Sequence, residues 1–511
     1  MRERWTSRLG IIMAVAGSAI GVGNFLRFPS QAVQNGGGAF MIPYFVSLFL
    51  LGIPLMWIEW AIGRYGGIFG HGTAPLIFNR LWRHRVAKYF GAIGVFGPLA
   101  IFIYYLYIES WLLGYCLCSA TGTLGAISSK GEMLSFLRRY QGIGGRGPLF
   151  LVSYILFLLT FAINFGVVYR GVKRGIERLC NVALPFLFLF AIVIVVRVLT
   201  LHAPDPARPE RNIVNGLGFL WNPDLSALRS AKVWMAAAGQ IFFTLSVGIG
   251  VIITYASYLS KGDDIVLSGL TASSLNEVAE VILGGTIVIP LAFAFFGGDG
   301  ARDVARGGAF NIGFIAMPLI FSRMANGEAF AVLWFLLLFL AGITSSISLL
   351  EPTIAFLSDD LKISRRKAIV VIAAATFILC QFPIFFIERG VMDDIDFWAG
   401  SFFLVLFGAA ECVIFIWVFG IDKAWDEIHH GAGLRIPRWY KPVIKYVTPT
   451  FLLLILGFWF FQQAVPTFRM DGVPPGNAPY IWATRIGLFL IFGSIALLVR
   501  KAQHGSFRGR R

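Results

Sequence analysis

Apolar runs of about twenty residues or more recur along nearly all of the 511-residue chain, and each is long enough to cross the hydrocarbon of a bilayer. Backbone held in hydrocarbon must pair its own N–H and C=O groups, and runs this long and uniform suit helices rather than barrel strands. The expected fold class is therefore an all-α integral membrane protein. Composition agrees: 57% hydrophobic and 14% charged excludes an ordinary soluble domain, which is about a quarter charged. The formal charge of +16 reads as basic cytoplasmic loops, so no nucleic-acid partner is expected. The five cysteines, Cys116, Cys118, Cys180, Cys380 and Cys412, lie in or beside apolar runs without metal-site or disulfide spacing and read as core residues. The N-terminus lacks a small-residue cleavage pattern, so the first span is expected to be retained.

Twelve spans are predicted, at about 8–34, 38–68, 86–120, 148–168, 173–200, 231–259, 265–296, 327–357, 366–386, 395–420, 446–468 and 480–502. Most of the 43 Lys and Arg residues fall on the side of the N-terminal tail, among them Arg80, Lys88, Arg174, Arg365 and Lys441. Both termini are then expected in the cytoplasm of an inner (plasma) membrane protein, with the longer loops 121–147, 201–230 and 297–326 outside.

Two spans carry glycines and small polar residues at mid-membrane depth. The first contains Gly17-Ser18-Ala19-Ile20-Gly21-Val22-Gly23-Asn24, and the sixth contains Phe243-Thr244-Leu245-Ser246-Val247-Gly248-Ile249-Gly250. Unwound backbone survives there only if it is buried or lines a cavity. Close packing through small residues explains either stretch alone. Their matched positions, each opening a group of five helices, point instead to a transporter site.

Several runs resemble the neurotransmitter:sodium symporter family: Gly-Asn-Phe-Leu-Arg-Phe-Pro (23–29), Asn-Gly-Gly-Gly-Ala-Phe (35–40), Gly-Ile-Pro-Leu-Met-Trp-Ile-Glu (52–59), Tyr-Tyr-Leu-Tyr-Ile-Glu-Ser-Trp (104–111), Gly-Gln-Ile-Phe-Phe-Thr-Leu-Ser (239–246), Ile-Thr-Tyr-Ala-Ser-Tyr (253–258), Leu-Asn-Glu (275–277), Ala-Gly-Ile-Thr-Ser-Ser (341–346) and Asp-Phe-Trp-Ala-Gly (396–400). The resemblance covers essentially the whole chain and is strongest to the family's bacterial leucine symporters. It implies a LeuT-like 5+5 inverted repeat with discontinuous helices 1 and 6. Residues 1–260 would hold helices 1–6, with repeat one at about 8–200; 261–420 would complete repeat two, and 421–511 would hold helices 11 and 12 and a basic tail.

The same resemblance implies the site residues. The substrate carboxylate would meet the Val22 and Gly23 amides, the Tyr105 hydroxyl and one sodium ion, with Gly21 also among the substrate-binding residues; its ammonium would meet carbonyls of Ala19, Phe243 and Thr244 and the Ser246 hydroxyl. The side-chain pocket would be lined by Ser18, Val22, Ile101, Phe243, Ile249, Ser345 and Leu349. Half-helix ends suit a zwitterion because they offer partial positive and partial negative charge without ionised side chains. One Na+ site would use Ala19, Asn24, Thr244 and Asn276; a second would use Gly17, Ile20, Ala341, Thr344 and Ser345. All-oxygen cages suit a hard cation.

Arg27 and Asp396 would form an outer gate pair with Tyr105 and Phe243 as a lid. Arg2 and Asp359 would form a cytoplasmic gate with Trp5, Tyr258 and Glu351. Glu280, four residues after Asn276, would supply the negative charge that balances sodium, so no chloride requirement is expected, and its protonation on the return step would permit proton countertransport. Glu59 and Glu109 read as packing hydrogen-bond partners. The implied activity is sodium-coupled import of a neutral hydrophobic amino acid, leucine first and methionine or aromatic residues next, because the pocket residues Ser18, Ile249 and Leu349 depart from the leucine symporters. Another small amine or amino acid, or a channel, is the alternative. A homodimer is left open. An enzyme is not expected: the histidines lie in or near loops, and no nucleophile-elbow, zinc-protease or phosphate-loop motif occurs.

Overall fold

The computed structural model describes residues 3–223 and 225–508. Ten helices among the described residues are long and apolar enough to span a membrane: α2 (Gly38–Ile68), α3 (Ala87–Ala120), α4 (Pro148–Tyr169), α5 (Val172–Leu199), α7 (Ile265–Arg306), α8 (Gly327–Asp360), α9 (Arg365–Phe385), α10 (Val391–Val418), α11 (Tyr440–Arg469) and α12 (Pro475–Gln503). The other two spans are broken. The first consists of α1a (Arg8–Ala19) and α1b (Val22–Gln34), bent by 47°; the sixth consists of α6a (Ala231–Thr244) and α6b (Val251–Ala256). Twelve spans result, all helical. The only extended pairing among the described residues is an isolated bridge between Gly37 and Pro223.

The breaks have local causes. In the first, the Gly21 amide donates to Asn24 Oδ1 at 2.8 Å instead of continuing the helical ladder, so the carbonyls before it lack their usual partners. In the second, Ser246, Gly248 and Gly250 adopt φ of 53°, 74° and 89°, which no helix accommodates. Gly250 must be glycine also because a Cβ would sit 2.4 Å from the Gly94 carbonyl oxygen of α3. Helix α1a starts on the Ser7 side chain, which accepts from the Gly10 amide at 3.0 Å, and α7 starts on Asp264, which accepts from the Leu267 amide at 3.0 Å.

The centre of the bundle is α3, whose most apolar window is 94% buried, whereas the corresponding windows of α11 and α12 are 28% and 22% buried and face outward. Both halves of the first span and α6b pack on α8, and the break in the sixth span touches α3 at Gly94. Three expected loops also contain helix: Lys130–Tyr140, Ile213–Trp221 and Gly308–Ser322. Each lays an apolar stripe on the bundle, a pattern too short to read as a span. Helix α7 runs past its expected end to Arg306, but Gly297 at φ 73° and ψ 176° interrupts it near the anticipated boundary.

Candidate functional site

The two breaks meet. The Ser246 hydroxyl of the sixth span donates to the Ser18 carbonyl of the first at 2.9 Å, and the Ser345 hydroxyl of α8 donates to the same carbonyl at 3.1 Å. Ser18 Oγ pairs with Ser348 Oγ at 2.8 Å. The Tyr105 hydroxyl is directed at the Val22 backbone and at Ser345; a Cβ on Gly21 would lie 3.0 Å from Ser345 Oγ and 3.4 Å from that hydroxyl. Of the expected site residues, Ser18, Gly21, Val22, Tyr105, Ser246 and Ser345 are thus brought together. Ser18, Ala19, Val22, Ile101, Ser246, Ser345 and Leu349 retain 4–8% accessibility, with Tyr105, Phe243 and Ile249 somewhat more open. They outline a small central recess in an otherwise closed core. Its walls are hydroxyls and hydrocarbon. Phe243 covers Gly23 so closely that a Cβ there would be 2.4 Å from the ring.

Beside the recess, Asn24 is a hub. Its Nδ2 donates to Thr244 Oγ1 (3.1 Å), Asn276 Oδ1 (2.8 Å) and Glu280 Oε2 (2.9 Å), and Asn276 Nδ2 donates to Thr244 Oγ1 at 2.9 Å. Glu280 is fully buried, and its other oxygen accepts from Gln240 at 2.8 Å. This cluster joins the first, sixth and seventh spans with neutral oxygens and the Glu280 carboxyl, and a second acid stands beside it: Glu277 accepts from Asn276 Nδ2 at 3.3 Å and from the Tyr44 hydroxyl at 2.8 Å.

On the far side, the Ser345 hydroxyl lies 3.4 Å from the Gly17 carbonyl, and a Cβ on Gly17 would be 3.2 Å from Thr344 Cβ. The Thr344 hydroxyl donates to its own helix, at Leu340 and Ala341 carbonyls. Ile20 caps α1a, its amide donating to the Ala16 carbonyl at 2.7 Å. Gly17, Thr344 and Ser345 therefore meet at the seam between α1a and α8, with Ile20 at the end of α1a and Ala341 one turn before Thr344.

The outer pair differs from expectation. Arg27 and Asp396 act on each other through space but make no ion pair within 4.0 Å. The Arg27 guanidinium lies 4.1 Å above the Phe243 ring, a cation–π contact, and Asp396 accepts instead from the Tyr104 hydroxyl. A neighbouring tyrosine is a nearer donor than a cation across the entrance.

On the cytoplasmic side, Trp5 donates to the Tyr255 carbonyl at 2.9 Å, and Tyr258 donates to Glu351 at 2.8 Å. Asp359 lies against the backbone of Gly72, where a Cβ would be 2.5 Å from Oδ2. Arg2 lies outside the described residues. Arg365, read from sequence as a loop charge, is mostly buried and grips Glu351 with two 2.7 Å hydrogen bonds; Glu3 adds a contact at 3.4 Å. Burial pushes the Glu3 carboxyl above its ordinary value, while Arg365 pulls it back. Glu109 accepts from Asn164 (3.1 and 3.3 Å), to which Ser346 donates at 2.6 Å, a packing role as anticipated.

Sequence reasoning left Tyr104, Gln240, Ser348 and Arg365 unassigned. Tyr104 and Gln240 stand inside the motif runs, so their positions were visible and their partners were not.

The sequence profile of the sodium:neurotransmitter symporter family matches residues 2–132 and 132–502. An uncharacterised sodium-dependent transporter of Methanocaldococcus jannaschii is 32% identical, covering 89% of this chain and 90% of its own. The human sodium- and chloride-dependent taurine transporter is 28% identical over 97% of this chain and 83% of its own. The crystal structure of MhsT in complex with L-phenylalanine matches with a TM-score of 0.76 and 29% identity, covering 89% of this chain and 99% of MhsT. That match gives the expected LeuT-type fold. Twelve spans, two facing helix breaks and a profile match across nearly the whole chain agree: this multi-pass membrane protein belongs to the sodium:neurotransmitter symporter family and is a sodium-dependent symporter.

Proposed function

We propose that the protein imports a neutral hydrophobic amino acid with sodium, independently of chloride, by alternating access between its two five-helix repeats. The observation that carries this reading is the meeting of the two helix breaks, where the Ser246 and Ser345 hydroxyls converge on the Ser18 carbonyl and nearly buried apolar residues such as Val22, Ile101 and Leu349 stand among the expected lining. Hydroxyls and freed backbone groups can satisfy a zwitterion, and no ionised side chain stands ready for an acidic or basic substrate group. Leucine is the first candidate; methionine and aromatic amino acids follow, and phenylalanine gains weight from the ligand of MhsT. One methylene in such a pocket is worth only about 1–3 kcal/mol of discrimination.

In this reading Ala19, Asn24, Thr244 and Asn276 hold one Na+, completed by the substrate carboxylate, which couples ion to substrate. Asn24 must then rotate: the amide that now donates to Thr244, Asn276 and Glu280 turns so that its oxygen faces the ion. Gly17, Ile20, Ala341, Thr344 and Ser345 hold the second Na+ at the α1a–α8 seam. Its departure would release α1a from α8 and open the cytoplasmic side. Glu280 balances the added positive charge in a site of low dielectric, which removes the need for an anion. Both termini face the cytoplasm, where the basic loops belong.

The test is uptake of labelled leucine, and of competing methionine and phenylalanine, into proteoliposomes with and without a sodium gradient and with and without chloride. Wild type is expected to require sodium and ignore chloride, Asn24→Ala to lose uptake, and Glu280→Ser to acquire chloride dependence. Sodium dependence without competition by any neutral amino acid would refute the substrate class, and chloride dependence of wild type would refute the role of Glu280.

A further inference from the structure

The break in the sixth span is held from behind by a carboxyl that the binding reading does not use. The Gly248 amide donates to Glu59 Oε1 of α2. The Glu59 carboxyl meets that of Glu411 on α10. Both side chains are wholly buried, and Glu59 Oε2, Glu411 Oε1 and Glu411 Oε2 have no donor among the described residues. Around them are hydrocarbon and close backbone: a Cβ on Gly408, one turn before Glu411, would meet Phe242 at 2.9 Å, and one on Gly248 would meet the Leu404 carbonyl oxygen at 2.6 Å. The titratable groups acting on the pair are the two carboxyls themselves and the buried thiol of Cys412. No described basic side chain pairs with either acid.

Two carboxylates in contact inside a fully buried core, with no described cation beside them, cannot both stay ionised. We infer that Glu59 and Glu411 form a proton-binding site in which one shared proton bridges the two acids and leaves Glu59 Oε1 free to hold the Gly248 amide. Gly248 lies between Ser246 and Ile249, so this bridge sets the backbone that presents both residues to the recess. When the proton leaves, the second negative charge drives the carboxyls apart and loosens the hold on the break. Glu59 is a positioning residue, and Glu411 is the partner that keeps it in place. The site is separate from Glu280, which has donors on both oxygens.

The proton can be observed without transport. Infrared spectra of the purified protein, titrated from neutral to alkaline pH, are expected to show a protonated-carboxyl carbonyl band that Glu411→Gln removes and Glu280→Gln leaves. In parallel, the apparent KM for sodium-driven uptake is expected to rise severalfold with alkalinity in wild type. In Glu411→Gln the neutral amide donates to Glu59 at every pH, so that rise should disappear, whereas Glu411→Ala should have a high KM throughout. Absence of a band sensitive to Glu411→Gln would overturn the inference. So would thermal stabilisation by sodium or potassium chloride that Glu411→Gln abolishes, which would make the pair a metal-cation site. Because the infrared result needs no substrate, a wrong substrate class would leave it intact.

Discussion

Replacing Arg365 by alanine should be far more damaging than neutralising its partner, and removing both charges should restore part of the loss. Glu351 is fully buried and receives two 2.7 Å hydrogen bonds from Arg365 and one at 2.8 Å from Tyr258. Arg365→Ala leaves that buried carboxylate with a single neutral donor. Breaking a buried pair from one side costs about 3–5 kcal/mol; the 18% exposure of the Arg365 side chain admits some water and places the expected loss near the lower end. Glu351→Gln is milder, because the amide oxygen still accepts from Tyr258 and Arg365 retains Glu3 at 3.4 Å; the expected cost is about 1–2 kcal/mol. In the double variant no buried charge is stranded, so it should be more stable than Arg365→Ala alone by roughly 1–2 kcal/mol, about tenfold in an equilibrium constant. Thermal unfolding of the four purified proteins in one detergent reads the order directly. A double variant no more stable than Arg365→Ala would refute the argument, because the penalty would then not come from the stranded carboxylate.

Three other outcomes follow from single contacts. Tyr104→Phe removes the donor that holds Asp396 and should let Asp396 pair with Arg27, slowing substrate association in stopped-flow binding; an unchanged association rate would sink the idea. Gly23→Ala places a Cβ within 2.4 Å of the Phe243 ring and should raise KM at least tenfold by displacing that ring, with folding checked by the melting temperature. For Glu3, the native state binds the proton more tightly than the unfolded chain, so its contribution to stability falls as pH rises from about 4.5 through the raised value. Glu3→Gln should flatten that part of the stability profile, and a slope equal to wild type would refute it.

The spans, their number and the two breaks were legible because they are one-dimensional facts. A bilayer demands a minimum apolar length, and a glycine or serine in mid-run disturbs the helix ladder wherever the chain goes. The site residues were legible only through resemblance, since spacing alone does not bring Thr244, Asn276 and Glu280 within 3.1 Å of Asn24. The broken helix ends do that, by turning three distant segments toward one point.

Charge partners were the least legible. Sequence marked Arg27 and Asp396 as membrane charges in need of company, counted Arg365 among the loop charges and did not single out Glu411; the cost of burial does not say who supplies the partner. Tyr104 took Asp396, the Phe243 ring took Arg27, and Arg365 left its loop for Glu351. Hydrophobic length is additive along a chain and survives any packing, so the sequence by itself determined a twelve-span helical membrane protein with two broken helices. Hydrogen bonds and ion pairs need atoms within about 3 Å in a particular direction, and only the tertiary packing decided which of the buried polar groups meet.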